Sequence, residues 1–294
     1  MRYFVTGASG WIGSATVREL VAAGHDVVGL ARSDASAEAV EALGATPLRG
    51  DLDDLALLRA GARDSDGVIH LGYNHDFSRM AEAAASDHAV IAALGEELTG
   101  SGRLLAIASG TLGVTPGRVA TEADRPAGGG HPRVANAALA LRLAEQGVRS
   151  VVVRFSPTVH GPGDHGFIAV LTEVARERGV AAWIGEGGNR WPAVHRDDAA
   201  VLLARAAVDA PAGTVLHAVA EEGVSGRTIA EAIGAGLGVP TSSIPAEDAP
   251  EHFGWIGPLF ALDAPASNAA TRELLDWHPG GATLVEDIAA HYTV

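Results

Sequence analysis

The sequence contains no lysine and no cysteine, so all 21 of its basic residues are arginine. Without cysteine the chain forms no disulfide, no thiolate metal site and no thiol nucleophile. Without lysine, no catalytic step can use an ammonium group. Apolar runs of the roughly 18 residues that a membrane span needs are also missing. No signal peptide is recognised, so we expect a cytoplasmic protein.

Positive charge is scarce as well, since the formal net charge is −15. Such an acidic chain is unsuited to nucleic acid or to an anionic membrane surface, so we expect a small-molecule substrate as its partner. Hydrophobic residues make up 47% of the 294 residues, which is enough for a sizeable core.

Apolar strand-like runs alternate with amphipathic helices through the first half of the chain. This alternation predicts an α/β protein, a doubly wound parallel-sheet Rossmann fold with a small C-terminal substrate lobe. Strands are predicted at 3–6, 26–30, 46–49, 67–71, 103–108 and 150–155. Helices are predicted at 11–23, 35–43, 54–61, 76–99, 133–146, 167–178, 197–209 and 228–237. The proline-rich stretch 240–265 predicts long loops.

These patterns predict a division into two domains. Residues 1–160 would form the dinucleotide-binding core, and residues 161–294 would form mainly the substrate lobe. A segment at about 193–220 would return to the core.

The most informative stretch is residues 5–13, VTGASGWIG, which follows the first predicted strand. Glycines at this spacing permit a sharp turn, close approach to a pyrophosphate and tight packing of helix on strand. The phosphates would then lie on the free N–H groups of the helix N-terminus. A purely structural glycine-rich turn is the alternative. The candidate cofactor-binding residues of this stretch are Gly7, Ser9, Gly10, Trp11, Ile12 and Gly13.

The second predicted strand leads into Arg32 and Ser33 rather than into a carboxylate. An NAD site needs a carboxylate there for the adenosine ribose, whereas a guanidinium beside a hydroxyl suits a 2′-phosphate. NADP is therefore favoured over NAD, although Asp34 nearby and a purely solvated Arg32 argue the other way. After the third strand, Asp51 is a candidate partner for the adenine amino group, or alternatively an N-cap of the next helix.

Taken together, these pieces resemble the extended and atypical short-chain dehydrogenase/reductases, also called NAD-dependent epimerase/dehydratases. The matching stretches, in order, are 6–13, 51–52, 68–72 (VIHLG), 154–164 (RFSPTVHGPGD) and 193–199 (AVHRDDA). The resemblance implies a sheet ordered 3-2-1-4-5-6-7, with a small lobe over the nicotinamide. It also implies a homodimer through the long fourth and fifth helices. It adds these candidate cofactor-binding residues: Leu52, Leu71, Gly72, Pro157, Thr158 and Val159.

The chain departs from that family at its acid–base pair, a Tyr and a Lys four residues apart. The three tyrosines stand at positions 3, 73 and 292. Aligning the helix starts puts Pro132 at the Tyr position and Asn136 at the Lys position. The usual proton donor is therefore absent.

Other side chains are candidates for its work. The resemblance implies that Ser109 or Thr111, after the fifth strand, holds a substrate carbonyl. Tyr73 and His75 follow the fourth strand, and a phenol or an imidazole there can deliver a proton. His131 lies beside the vacated Tyr position. For these last three, packing in a surface loop is the alternative.

No metal site is expected, because His160, His165 and His195 lie at loop spacing rather than in a zinc motif. Trp183, Trp191 and Trp255 are candidates either for an apolar pocket or for the core.

Three functions remain open at this stage. The first is an NADP-dependent oxidoreductase acting on a carbonyl or activated double bond of a small molecule. The second is a nucleotide-binding sensor without turnover. The third is a redox-neutral epimerase or dehydratase.

Overall fold

The computed structural model describes residues 1–74, 79–125 and 132–293. The strands within these ranges are β1 (Arg2–Thr6), β2 (Asp26–Ala31), β3 (Thr46–Arg49), β4 (Gly67–His70), β5 (Leu104–Gly110), β6 (Arg149–Phe155), β7 (Thr158–His160), β8 (Ala181–Ile184), β9 (Arg190–His195), β10 (Thr214–Ala218), β11 (Glu221–Ser225) and β12 (Thr241–Ile244).

The helices in the same ranges follow the strands in near alternation as far as β6. They are α1 (Trp11–Ala22), α2 (Asp34–Ala42), α3 (Leu55–Arg63), α4 (Met80–Leu98), α5 (Pro132–Leu143), α6 (Phe167–Arg178), α7 (Arg196–Asp209), α8 (Gly226–Leu237), α9 (Ala249–Phe253), α10 (Gly257–Phe260), α11 (Ala269–Leu275) and α12 (Leu284–Asp287). A π-helical turn, Ile288–Tyr292, follows α12.

Seven parallel strands form the main sheet in the order β3-β2-β1-β4-β5-β6-β10. This confirms the predicted Rossmann fold and the order 3-2-1-4-5-6-7, with β10 as the seventh strand. The order in which the strands are added to the sheet changes direction between β1 and β4, which pair in parallel with Phe4 in register with Val68. In sheets of this kind, ligands bind outside the carboxyl ends of the strands at that reversal.

Alternate side chains of each strand enter two separate cores, one on each face of the sheet. Tyr3 and Val5 of β1 face the core that α1 and α7 cover. Phe4, between them, faces the core that α3, α4 and α5 cover. The middle of β1, residues 3–5, is continuously apolar because both faces of the sheet are covered there.

A third core lies in the second half of the chain and combines α6, α8, β8 and β9 with the segments 249–260 and 284–292. Two small sheets support it, ordered β11-β9-β7 and β12-β8. Helix α7 packs on the main sheet instead, and β10 belongs to that sheet as the neighbour of β6. The division of the chain into two domains near residue 160 stays a prediction.

Some local predictions were wrong. The stretch 240–265 was expected to be long loops, yet it contains β12, α9 and α10. The helix predicted to run to residue 146 ends at Leu143 and continues as a 3-10 turn, after which Gly147 adopts a left-handed φ of 76°. Among the described residues, no helix has the length and apolarity that crossing a membrane requires.

Candidate active site at the carboxyl edge of the main sheet

The turn between β1 and α1 has room only for glycine at two positions. Gly7 has a φ of +69°, and a Cβ there would lie 2.7 Å from the backbone nitrogen of Gly72. A Cβ on Gly13 would lie 1.9 Å from the carbonyl oxygen of Gly7. The absence of side chains therefore brings α1 directly against the ends of β1 and β4.

The first turn of α1 is open to an anion. Gly10 stands at its N-cap, where no side chain caps the helix and no acidic residue occupies the first turn. The N–H of Gly10 donates to the carbonyl of Gly7 at 2.9 Å, which leaves the following N–H groups of the helix for a ligand. Ser9 and Gly10 are exposed at this opening. Backbone donors and the positive helix end together suit a pyrophosphate.

Trp11 connects this turn to β7. Its indole N–H donates to the carbonyl of Val159 at 2.7 Å. The guanidinium of Arg196 lies 4.3 Å from the centroid of the indole ring, and His165 meets the ring edge-on. The structure thus brings the predicted segment 157–159 next to the glycine turn, as a nucleotide bridging both would require.

The ends of β2 and β3 present two arginines side by side. Ala31 pairs with Arg49, and Arg32 follows it, exposed to solvent. The guanidinium of Arg49 lies 3.0 Å from the carboxylate of Asp34. Ser33 caps α2, and its hydroxyl accepts from the backbone N–H of Ser36. This corner therefore holds two guanidiniums, one of which is paired with a carboxylate.

Asp51 is exposed in the loop after β3, where its carboxylate accepts a weak bond from the N–H of Asp53 at 3.3 Å. The alternative that Asp51 caps the next helix is wrong, because Asp54 is the N-cap and accepts from Leu57. Neighbouring Leu52 packs against the apolar core on that face of the sheet. Asp51 as an adenine partner stays a prediction.

The loop after β4 begins against the glycine turn. The N–H of Leu71 donates to the carbonyl of Thr6, and the N–H of Gly72 donates to the Thr6 hydroxyl at 3.1 Å. Tyr73 follows and is half-buried. His75, the next candidate proton donor, lies outside the described residues, as does His131 before α5.

The two hydroxyl candidates after β5 differ in their surroundings. Ser109 is half-buried at the carboxyl end of the strand, in register with Arg154. Thr111 is fully buried, and both its hydroxyl and its N–H donate to the carbonyl of Phe155, at 3.3 and 3.0 Å. The Thr111 hydroxyl is thus committed to holding the backbone of the loop.

Behind the site lies a set of buried polar residues, of which the sequence pointed only to Asn136. His70, Asp87 and Asn136 are hydrogen bonded to one another in series, from β4 through α4 to α5. Asn136 occupies the position at which the lysine was expected. The sequence signal was weak: a histidine ends the apolar run of β4, and an aspartate interrupts the apolar pattern of α4.

The histidines near β7 hold the end of the chain. His160 is 1% exposed, and its Nδ1 lies 2.6 Å from a carboxylate oxygen of Asp287. Burial lowers the pKa of His160, and the contact with Asp287 opposes this only in part. The hydroxyl of Tyr292 donates to Asp164 at 2.7 Å, and burial raises the pKa of that carboxyl. Across the described ranges, no group of three or more His, Cys, Asp or Glu residues could hold a metal ion.

Of the three tryptophans that the sequence singled out, Trp191 is a core residue. Trp191 is 1% exposed and packs edge-on against Phe260 in the third core. Trp255 is 49% exposed and contacts Phe167, which in turn contacts Trp191. Trp183 lies beneath the guanidinium of Arg227. An aromatic wall therefore runs from the core to the surface near α6.

Comparison with known proteins gives a consistent family. An uncharacterized protein of Schizosaccharomyces pombe is 45% identical over 99% of both chains. A 2-alkyl-3-oxoalkanoate reductase of Stenotrophomonas maltophilia is 29% identical over 68% of this chain and 63% of its own length.

Among solved structures, the UDP-glucose 4-epimerase of Thermus thermophilus in complex with NAD superposes with a TM-score of 0.73, at 20% identity over 98% of this chain and 97% of that one. The family model for the NAD dependent epimerase/dehydratase family matches residues 3–218. The structure has a glycine cradle, formed by Gly7 and Gly13, beside the open start of α1 and the neighbouring β7. This chain belongs to the NAD dependent epimerase/dehydratase family.

Proposed function

We propose that this protein is an NADP-dependent oxidoreductase that reduces a carbonyl, or an activated double bond, of a small organic molecule by hydride transfer. The observation that carries the proposal is the glycine cradle, which any Cβ at Gly13 would fill and which opens onto the free N–H groups of α1. The net charge of −15 favours a small-molecule partner over nucleic acid or an anionic membrane.

The preference for NADP over NAD is supported by the two arginines at the ends of β2 and β3. Arg32 and Arg49 are both exposed there, and two guanidiniums suit a phosphate dianion through charge-assisted hydrogen bonds. Asp34 is 95% exposed at its side chain and pairs with Arg49. On nucleotide binding, the 2′-phosphate would replace Asp34 as the partner of Arg49.

The substrate chemistry is assigned to Ser109 and its neighbours. When bound, the reduced nicotinamide supplies the hydride. The hydroxyl of Ser109 donates to the substrate oxygen and polarises the carbonyl. Ser109 is preferred to Thr111, since the Thr111 hydroxyl is engaged with the Phe155 carbonyl. The hydroxyl of Tyr73 delivers the proton to that oxygen, with His75, His131 and ordered water as the alternatives.

A titration beside a substrate screen tests this function. Calorimetry should show that NADPH binds more tightly than NADH, and a panel of carbonyl compounds should reveal at least one that consumes NADPH. Ser109→Ala should then lower kcat at least about tenfold while NADPH affinity stays within about twofold. An unchanged kcat removes Ser109 from the mechanism, and the absence of nucleotide binding removes the proposal.

One observation favours a second function, a nucleotide-binding sensor without turnover. The chain has no lysine, and the side-chain amide of Asn136, at the lysine position, donates hydrogen bonds to Asp87 and to the carbonyl of Ala84. Tight NADPH binding with no turnover across the screen would support the sensor. A redox-neutral epimerisation would instead yield product without net consumption of NADPH.

A further inference from the structure

A continuous series of hydrogen bonds runs from the glycine turn into the protein interior. The N–H of Gly72, against which the glycine turn packs, donates to Thr6 Oγ1 at 3.1 Å. Thr6 Oγ1 lies 2.7 Å from Nδ1 of His70. Nε2 of the same imidazole lies 3.1 Å from Oδ1 of Asp87. Three elements, β1, β4 and α4, are thus joined by polar contacts.

A second series reaches Asp87 from the opposite side. Nδ2 of Asn136 lies 2.6 Å from Oδ2 of Asp87, and it also donates to the carbonyl of Ala84 at 3.0 Å. Oδ1 of Asn136 lies 3.0 Å from Nδ1 of His88. Both oxygens of one carboxylate therefore collect donors, one from β4 and one from α5.

The contacts fix where the hydrogens lie. A carboxylate at Asp87 only accepts, so the His70 tautomer that satisfies both contacts carries its hydrogen on Nε2 and accepts at Nδ1 from the Thr6 hydroxyl. The Asn136 amide has one sensible orientation, because turning it over would set its oxygen against two acceptors. Thr6, His70, Asp87 and Asn136 are each at most 8% exposed, so a lost partner is not replaced by bulk water.

We propose that Asp87 is a positioning residue that couples nucleotide binding to the placement of α5. Through His70 and Thr6 it fixes the backbone of Gly72 against the glycine turn. Through Asn136 it fixes the first turns of α5, where this chain has no lysine. Asn136 thus acts as an anchor for the helix, with both of its amide hydrogens used inside the protein. The inference rests on the proposed binding of NADP.

Calorimetric titration with NADPH tests the coupling. Asp87→Asn keeps the shape of the side chain but sets a donor against a donor on one side. Asn136→Leu removes the hydrogen bond that joins Asp87 to α5. Each should lower NADPH affinity about tenfold, although both side chains are buried and hydrogen bonded inside the protein. Thr271→Val is the matched control, since it breaks a buried hydrogen bond to Glu122 that is not part of the series and should leave the affinity within about twofold.

Hydrogen exchange supplies a readout that a merely structural role would not change. In the wild-type protein, NADPH should slow exchange of the amides of α5 at residues 137–143. In Asp87→Asn and Asn136→Leu this slowing should be lost even at saturating NADPH. Unaltered affinity in both variants, or an equal fall in Thr271→Val, overturns the proposal.

A conservative pair guards against variants that fail to fold. Thr6→Ser keeps the hydroxyl and should retain NADPH affinity, whereas Thr6→Val leaves His70 and Gly72 without a partner and should lose it. Equal affinity in the two Thr6 variants overturns the proposal.

A separate measurement tells failure of the coupling from failure of the proposed function. If the wild-type protein binds no nicotinamide nucleotide, the proposed function fails on its own. Unfolding of Thr6→Val, Asn136→Leu and their double variant still measures the coupling in the free protein. If the two residues are coupled, the change in the unfolding equilibrium constant of the double variant should differ at least about fivefold from the product of the two single changes. A change equal to that product overturns the coupling.

Discussion

At the scale of single residues, the glycine turn is the feature that the sequence predicted best. Its spacing alone indicated the turn, because only glycine tolerates the close approach found at Gly7 and Gly13. The series through His70, Asp87 and Asn136 was missed, because its members are 17 and 49 residues apart and meet only in the folded sheet. Contacts of that range leave no local pattern.

The Gly13 contact predicts a stability defect. Gly13→Ala places a methyl group 1.9 Å from the Gly7 carbonyl, which forces α1 away from β1. We expect a loss of about 1–3 kcal/mol in the free energy of unfolding and a fall of more than about tenfold in NADPH affinity. Urea unfolding followed by circular dichroism, with calorimetry, measures both. Gly280→Ala is the control, since a Cβ there meets nothing within 4 Å; equal behaviour of the two variants would contradict the packing argument.

Arg32 predicts the choice between the two nicotinamide nucleotides. Arg32→Asp replaces a guanidinium that would donate hydrogen bonds to the 2′-phosphate with a carboxylate, which suits an unphosphorylated ribose. NADPH affinity should fall about tenfold to a hundredfold, while NADH affinity should hold or rise. Arg176→Asp, an exposed arginine on α6, is the control for charge alone. If NADH already binds the wild-type protein more tightly than NADPH, the assignment to NADP is wrong.

At the scale of elements, the first half of the chain was more predictable than the second. Helix α6 was predicted with both of its bounds, since apolar periodicity marks the helix and Gly179 ends it. Strand β12 was missed because its four residues, TSSI, are mostly exposed and show no alternation of burial. Short strands in a lobe are defined by their partners, which the local sequence does not reveal.

Two aspartates around the start of α3 predict opposite effects. Asp54→Ala removes the N-cap that accepts from Leu57 and should cost about 1 kcal/mol of stability with unchanged nucleotide affinity. Asp51→Ala should weaken NADPH binding and leave stability nearly unchanged, since within the described part of the chain its carboxylate accepts a single exposed hydrogen bond, at 3.3 Å. Urea unfolding and calorimetry on both variants separate the roles. If Asp51→Ala lost stability and Asp54→Ala did not, this assignment of roles to the two aspartates would be wrong.

At the scale of the whole molecule, two buried histidines predict sensitivity to acid. Burial lowers the pKa values of His160 and His217 below the ordinary 6.5. Below pH 6.5 the unfolded chain then binds more protons than the folded one, so stability falls as the pH decreases through that range. The free energy of unfolding should be lower at pH 5.5 than at pH 7.5.

One variant isolates the contribution of His160. His160→Asn should show a shallower slope of stability against pH between 5 and 7, measured by urea unfolding at several pH values. His278→Asn is the control, because His278 is exposed on the surface. A wild-type slope in His160→Asn would show that His160 does not contribute to the acid sensitivity.

The bond from Trp11 to β7 also gives the site an optical signal of its own. The indole lies beside the glycine turn; its N–H donates to the Val159 carbonyl and the Arg196 guanidinium lies over its ring. Its emission overlaps the absorption of a reduced nicotinamide, so a bound nucleotide would quench it by energy transfer. Of the five tryptophans, Trp191 and Trp277 are buried in the cores and report on folding instead. The difference in quenching between the wild-type protein and Trp11→Phe would follow nucleotide binding without any added label.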